Sequence, residues 1–176
     1  MSDKITYDGN LLNPLPAVLV GSNVRGKPNY LVIGYICPFD FGRRIFFSLY
    51  KKRHTRLGIH ENKTFSVNIP STRNLDKLKI CGSKSGAEYD KSTIFDSFYG
   101  ELETAPMIQE CPINIECSLE RVIDYEQNEG IIGKVIKTYV DEKCVSDGKF
   151  DASHADLFSW VSGEKIGYFK IGERLG

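Results

Sequence analysis

Six basic residues, Arg43, Arg44, Lys51, Lys52, Arg53 and Arg56, fall within fourteen positions, and no Asp or Glu stands between Asp40 and Glu61. An even spread would put about two basic residues in such a window. The whole chain balances 23 Lys+Arg against 23 Asp+Glu, so the cluster is a local device. Its chemistry is that of anion binding. Arg53 can grip a phosphate through two parallel N–H donors, Lys52 acts as a point charge, His54 can touch it, and Thr55 offers hydroxyl and amide. The segment follows "RIFFSLY" (44–50), a β-branched and aromatic run that reads as a strand, and precedes "HTRLGIHEN" (54–62), which reads as a helix capped by Thr55. A strand-to-helix junction brings free backbone N–H groups and the positive helix end to the same place as the cations. A solvated, charged turn is the alternative reading.

A second small-residue loop, "CGSKSGAEYDK" (81–91), places Gly82 and Gly86 where a backbone could approach a ligand closely. Ser83 or Ser85 could hydrogen-bond to that ligand, with Lys84 and Lys91 nearby. It lacks the Gly-Lys-Ser/Thr ending of a Walker loop, and the chain has no GxGxxG and no HExxH. His60 and His154 read as surface residues. Cys111 and Cys117 have no matching pair to complete a zinc site, and Cys117 reads as a buried thiol. Trp160, Tyr168 and Phe169 could stack on a flat ring or serve in packing.

The elements that must position these residues are mostly strands. Residues 17–22, 29–37, 44–50 and 64–70 are expected as strands in the first half. Helices are expected at 54–62 and at 71–80, the latter capped by Ser71, with a weaker one in "EYDKSTIFDSF". In "INIECSLE", Ile113, Ile115, Cys117 and Leu119 alternate with Asn114, Glu116, Ser118 and Glu120, the pattern of a strand with one buried and one wet face. "QNEG" then turns the chain into "IIGKVIKTYV" (131–140), and "KIGYFKIG" supplies a last strand. The fold class is therefore mainly β, a small antiparallel barrel with a few peripheral helices. At 176 residues one domain is expected. A pI of about 6.8 argues against general nucleic-acid binding. Five scattered cysteines and the lack of a leader or membrane-spanning run suit a reducing compartment, the cytoplasm.

These pieces, in this order, resemble the flavin reductase-like FMN-binding split barrels, in particular their flavoredoxin branch. The resemblance covers residues 14–140 and is carried by "GKPN" (26–29), "GYICP" (34–38), "KKRHT" (51–55), "VNIP" (67–70) and "CGSKSG" (81–86). It departs from the family at Arg43-Arg44, where relatives commonly carry Pro-Pro, and at Ser92, where an aromatic is usual.

The resemblance implies FMN as cofactor, an antiparallel Greek-key split barrel, and a homodimer. Carried over by position, it counts Asn29 among the cofactor-binding residues and places the loop Gly34, Tyr35, Ile36, Cys37 and Pro38 beside the flavin ring, with the amides of Ile36 and Cys37 facing its polar edge. Ser48 would meet the ribityl chain or the phosphate. Lys52, Arg53, His54 and Thr55 would hold the phosphate, and Asn68 would contact the flavin from a strand end. Ser85, Gly86 and Lys91 would cover the phosphate end. The activity implied is electron transfer from NAD(P)H or a protein donor, through FMN, to a small molecule or protein acceptor, with the chemistry carried by the flavin. A non-enzymatic electron carrier or flavin store is a second reading, and a nucleotide- or nucleic-acid-phosphate module a third.

Overall fold

Alternation builds the central strand of the site. In Arg44–Tyr50, Ile45, Phe47 and Leu49 are buried while Arg44, Phe46, Ser48 and Tyr50 are half-buried, so the two faces of the strand part apolar core from cleft. The computed structural model that shows this describes residues 4–163 and 166–175. Its strands are β1 (Val18–Val24), β2 (Lys27–Ile33), β3 (Ile36–Phe39), β4 (Arg44–Tyr50), β5 (Thr64–Ile69), β6 (Ile113–Tyr125) and β7 (Asn128–Val140). Together they form one antiparallel sheet in the order β2-β1-β5-β6-β7-β4-β3. Its two edge strands, β2 and β3, are joined by Gly34 and Tyr35 alone, so the sheet curls into a half-barrel that is split between them. This is the expected mainly β split barrel.

Helices α1 (Thr55–Asn62) and α2 (Leu75–Ser83) are peripheral. A C-terminal hairpin, β8 (Phe158–Val161) and β9 (Gly167–Lys170), pairs with Leu15–Pro16 in a separate sheet. β8 was not expected from the sequence. Lys165, the first residue of the expected last strand, lies outside the described residues.

Two cores meet at β1. Val18 and Val20 point into the barrel with Leu31, Phe47, Leu49, Ile59, Phe65 and Ile131. Ala17 and Leu19 point the other way, under Leu78 of α2, with Tyr30, Phe95, Ile108 and Phe158. All seven residues of β1 are consequently buried, which is why its sequence shows no period-two pattern. Inside the barrel, a Cβ on Gly133 would stand 2.2 Å from Phe65 Cζ, so a glycine there admits the aromatic ring.

Several expectations are corrected. The predicted strand 29–37 breaks at Gly34-Tyr35, because the chain crosses there from one sheet edge to the other. The segment 88–98 forms turns and a two-residue strand, Ser97–Phe98, rather than a helix. Thr55 does not cap α1; His54 occupies the cap position, and the Thr55 hydroxyl is engaged by Asn29. Asn114 and Glu116, expected in solvent, are buried. Glu116 accepts the amides of Glu101 (3.1 Å) and Leu102 (2.9 Å) and the Tyr139 hydroxyl (2.7 Å), because the segment before β6 folds back over that face. Ser71 leads into a single 3-10 turn, Thr72–Asn74, and donates its amide (2.9 Å) and hydroxyl (3.1 Å) to Asn74 Oδ1, while the cap position of α2 itself is Asn74.

Candidate functional site

The basic cluster divides once the chain is folded. Arg44 donates to Glu120 (2.8 Å) and to Asp40. Lys51 lies 2.5 Å from Asp124 and donates to the Glu126 carbonyl at 2.8 Å. Arg56 clasps both carboxylate oxygens of the buried Glu129 (2.9 and 2.5 Å), which also meets His60 Nε2 at 2.7 Å. His60 is thus a half-buried partner rather than a free surface residue. The acids of the β6–β7 hairpin answer half of the cluster. Arg43, Lys52 and Arg53 have no ion pair among the described residues.

Arg53 edges two adjoining cavities at the split of the barrel, and Lys52 the smaller of them. The smaller, about 280 Å³, gathers Asn29, Lys52, Arg53, His54, Thr55, Ser85, Gly86 and Lys91. These come from the β1–β2 hairpin, the β4–α1 junction and the loop after α2, three segments that the fold alone brings together. Asn29 Nδ2 donates to Thr55 Oγ1 at 2.6 Å, so the Thr55 hydroxyl keeps its own proton for a ligand. Lys91 is only 4 % exposed. Its ammonium donates to the Tyr30 and Cys81 carbonyls (2.9 and 2.8 Å), which leaves one of three N–H donors. Burial holds the Lys91 pKa below the usual lysine range, and the nearby Arg53 adds to this. His54 is likewise held low, by burial and then by Arg25 and Lys91. No carboxylate lines this cavity.

A buried ammonium without a carboxylate partner, with an arginine and a lysine beside it, is a donor set that fits a phosphate dianion. The cradle also depends on a glycine. A Cβ on Gly86 would stand 2.2 Å from Asn29 Oδ1 and 2.9 Å from His54 Cδ2, so any side chain would displace the Asn29–Thr55 pair.

The larger cavity, about 680 Å³, shares Val32, Tyr50, Arg53 and Gly82 with the smaller one. Its walls carry Gly34, Tyr35 and Ser48, and the half-buried Trp160 and Tyr168 of the C-terminal hairpin. Ser48 Oγ accepts from Asn128 Nδ2 at 3.2 Å. Chemically this is an amphiphilic slot, aromatic and backbone-lined at one end and cationic at the other.

Four expected residues are elsewhere. Ile36, Cys37 and Pro38 line neither cavity. The Ile36 amide donates to Gly34 O at 3.0 Å, and Cys37 stands opposite Phe46 in the β3–β4 ladder. Asn68 is fully buried. Its amide donates to Leu19 O and Ser66 Oγ and accepts from the Ile108 amide and Asn114 Nδ2, a network that ties β5 to β1 and β6. Sequence reasoning missed Tyr50 and Asn128. The outward phase of β4 could have found Tyr50, since it continues from Ser48. Asn128 carried only a turn signal.

A sequence model of the family described as flavin reductase like domain matches residues 12–152. A flavoredoxin of Methanosarcina acetivorans is 34 % identical and superposes with a TM-score of 0.94, covering 99 % of this chain and 95 % of that one. Flavoredoxin of Desulfovibrio vulgaris (Miyazaki F) is 28 % identical with a TM-score of 0.91, over 99 % and 96 % of the two chains. An uncharacterized protein of Pyrococcus abyssi is 26 % identical over 140 residues, 79 % of this chain and 81 % of that one.

Proposed function

Because the chain belongs to the flavin reductase-like family, on its flavoredoxin branch, we propose that it binds FMN and works as a redox protein, passing electrons from NAD(P)H or a protein donor to an acceptor. The observation that carries this reading is the joining of a cation-lined, carboxylate-free cavity of about 280 Å³ to an aromatic-walled one of about 680 Å³. One ligand with a dianionic end and a flat ring matches both.

In this reading Arg53, Lys52, Lys91 and the Thr55 hydroxyl hold the phosphate, with Ser85 and Gly86 closing over it. Ser48 and Asn128 serve the ribityl chain, while Gly34, Tyr35, Trp160 and Tyr168 enclose the ring. When bound, FMN supplies the electron-carrying chemistry. The chain's task is to orient it, to pair its charge in a partly desolvated cleft and to limit water at the ring. A nucleic-acid surface is disfavoured because Arg44, Lys51 and Arg56 are tied to acids, which leaves no continuous basic stripe. The same proposal includes a homodimer, for which the exposed Phe39, Phe41, Ile123 and Tyr125 offer apolar surface. Sedimentation equilibrium tests that part, and a monomer at micromolar concentration would exclude it.

The test of the cofactor is titration of flavin-free protein with FMN and with riboflavin. Arg53→Ala is expected to weaken FMN by roughly 1.5–3 kcal/mol, about 10- to 150-fold, through loss of a charge-assisted contact. Riboflavin should change little. Equal weakening of both ligands would make Arg53 structural, and no binding of either would overturn the proposal. Steady-state oxidation of NADH and NADPH by the loaded protein then separates a reductase from an electron carrier, which would turn over poorly.

A further inference from the structure

Five cations line the two adjoining cavities, Arg53 and Lys79 on the larger and Lys52, Arg53, Lys84 and Lys91 on the smaller, and no carboxylate lines either. A phosphate monoester brings at most about two negative charges. With the proposed cofactor in place the cleft therefore keeps an excess of about three positive charges, on a chain whose formal net charge is zero.

The phosphate is matched by Lys52, Arg53 and Lys91, which leaves Lys79 and Lys84 without a part in it. Both are exposed. Lys84 has no ion pair among the described residues. Lys79 meets Asp76, one turn earlier in α2, at 3.8 Å, and an exposed pair of that length contributes little. The acids of the next loop, Glu88 and Asp90, line a different cavity, where Asp90 is paired with Lys27 at 3.3 Å.

Position decides what kind of anion these lysines suit. Lys79 lies in the second half of α2 and Lys84 directly after it, while the exposed Lys52 comes from the β4–α1 junction, so cations from two elements edge the opening. A small anion is held by groups that close around it, as Lys91 is placed to do. Exposed ammonium groups on long stems meet a surface instead. Between the two lysines stands the exposed Ile80, and the exposed Tyr35 lines the larger cavity. Apolar side chains beside charges of one sign suit a transient interface, in which complementary charge sets the rate of encounter.

We propose that the mouth of the cleft is a docking surface for an acidic electron-carrier protein, anchored by Lys79, Ile80 and Lys84. This rests on the redox function given above and names the chemistry of the protein that exchanges electrons there. Lys79 lines the cavity assigned to the ring, so a carrier seated on it lies at that cavity's opening. Each encounter moves one electron between carrier and cofactor and no atom. Two encounters match a two-electron change at the ring, with protons exchanged with water.

The test uses a plant-type [2Fe–2S] ferredoxin as an acidic probe and cytochrome c as a basic one. Fluorescence anisotropy of each labelled carrier is followed as the protein is added, at low salt and at about 0.5 M salt. Ferredoxin is expected to bind, and to weaken about tenfold or more at the higher salt, while cytochrome c stays free. In the double variant Lys79→Gln, Lys84→Gln, ferredoxin should weaken about tenfold or more, FMN affinity should change less than about threefold, and the melting temperature should match the parent's. Ferredoxin that stays free up to about 100 μM at low salt overturns the proposal, and so does binding that the variant leaves intact. A lower melting temperature with unchanged ferredoxin binding makes the two lysines mere complements of the negative helix end. Weakened NADPH with unchanged ferredoxin assigns them to a nucleotide, and a single-stranded oligonucleotide bound as tightly as ferredoxin makes the mouth a general polyanion surface; each of these also overturns it. The two readings fail separately. Lysine-dependent ferredoxin binding by a chain that takes up no flavin would sink the cofactor reading and keep the docking surface; firm FMN binding with ferredoxin free would do the reverse.

Discussion

Lys91 is the residue whose setting says most. A lysine 4 % exposed, held by two carbonyls and ion-paired with no carboxylate among the described residues, is costly without a counter-ion. Its depressed pKa gives a prediction with a definite sign: the charge is lost earlier on the alkaline side than for an ordinary lysine at 10.5. The ratio of FMN to riboflavin affinity should therefore fall as pH rises toward that value. Lys91→Met should lower the ratio about tenfold at neutral pH and flatten this pH dependence. Titrations at stepped pH check both parts, and an unchanged ratio in the variant would remove Lys91 from the phosphate site. Gly86→Ala belongs to the same scale. The added methyl meets Asn29 Oδ1 at 2.2 Å, so FMN affinity should drop about tenfold with only a small change in melting temperature, the loop being near the surface. Differential scanning fluorimetry beside the titration separates the two effects.

At the scale of elements, the clasp between α1 and β7 matters most. Glu129, buried, accepts both Arg56 and His60 and stands next to Asn128, so it fixes the start of α1 relative to the strand end that reaches Ser48. Hydrogen bonds from Arg56, then those from His60, hold its carboxyl below the ordinary glutamate value of 4.5. Because the folded-state pKa is lowered, the stabilisation is complete above 4.5 and is lost as pH falls below it. Glu129→Gln should cost about 2 kcal/mol at neutral pH, with the gap to the parent narrowing under acid conditions. Urea midpoints at pH 7 and well below 4.5 test this, and a constant gap would mean that the carboxylate's charge is not what stabilises. The strand β6 teaches a further lesson about elements. Its alternation of Ile113, Ile115 and Cys117 with Asn114 and Glu116 is real, but the segment 97–108 covers the polar face and supplies its hydrogen bonds. Periodicity reports side-chain direction; it does not report what lies opposite.

For the whole molecule, charge balance is the governing fact. With 23 cations against 23 anions, there is no long-range field to steer a ligand. The attraction for a phosphate is confined to the split of the barrel, where Lys52, Arg53 and Lys91 converge. FMN affinity should fall about tenfold between low salt and roughly 0.5 M salt, since the Debye length shortens from about 30 Å at 0.01 M to a few ångströms. Riboflavin affinity should hold. Fluorescence titrations across ionic strength measure this, and parallel behaviour of the two ligands would mean that the cleft's charge does not act on the phosphate.

The sequence by itself determined the strand 44–50, the strand expected over 64–70, the helix expected at 54–62, the one expected at 71–80, which begins four residues later, and the mainly β class, and it offered Arg53, Thr55, Gly86 and Lys91 as phosphate-loop candidates, because these rest on local propensity, period-two patterning and loop chemistry. Tertiary structure alone decided which cations stay available, since Arg44, Lys51 and Arg56 each meet an acid seventy or more positions away, Glu120, Asp124 and Glu129. It also moved Asn68 from the site into a buried network and brought Trp160 and Tyr168 to the cavity wall from a hairpin at the far end of the chain. Pairing across a curled sheet joins residues by register rather than by sequence distance, and no local pattern records that register.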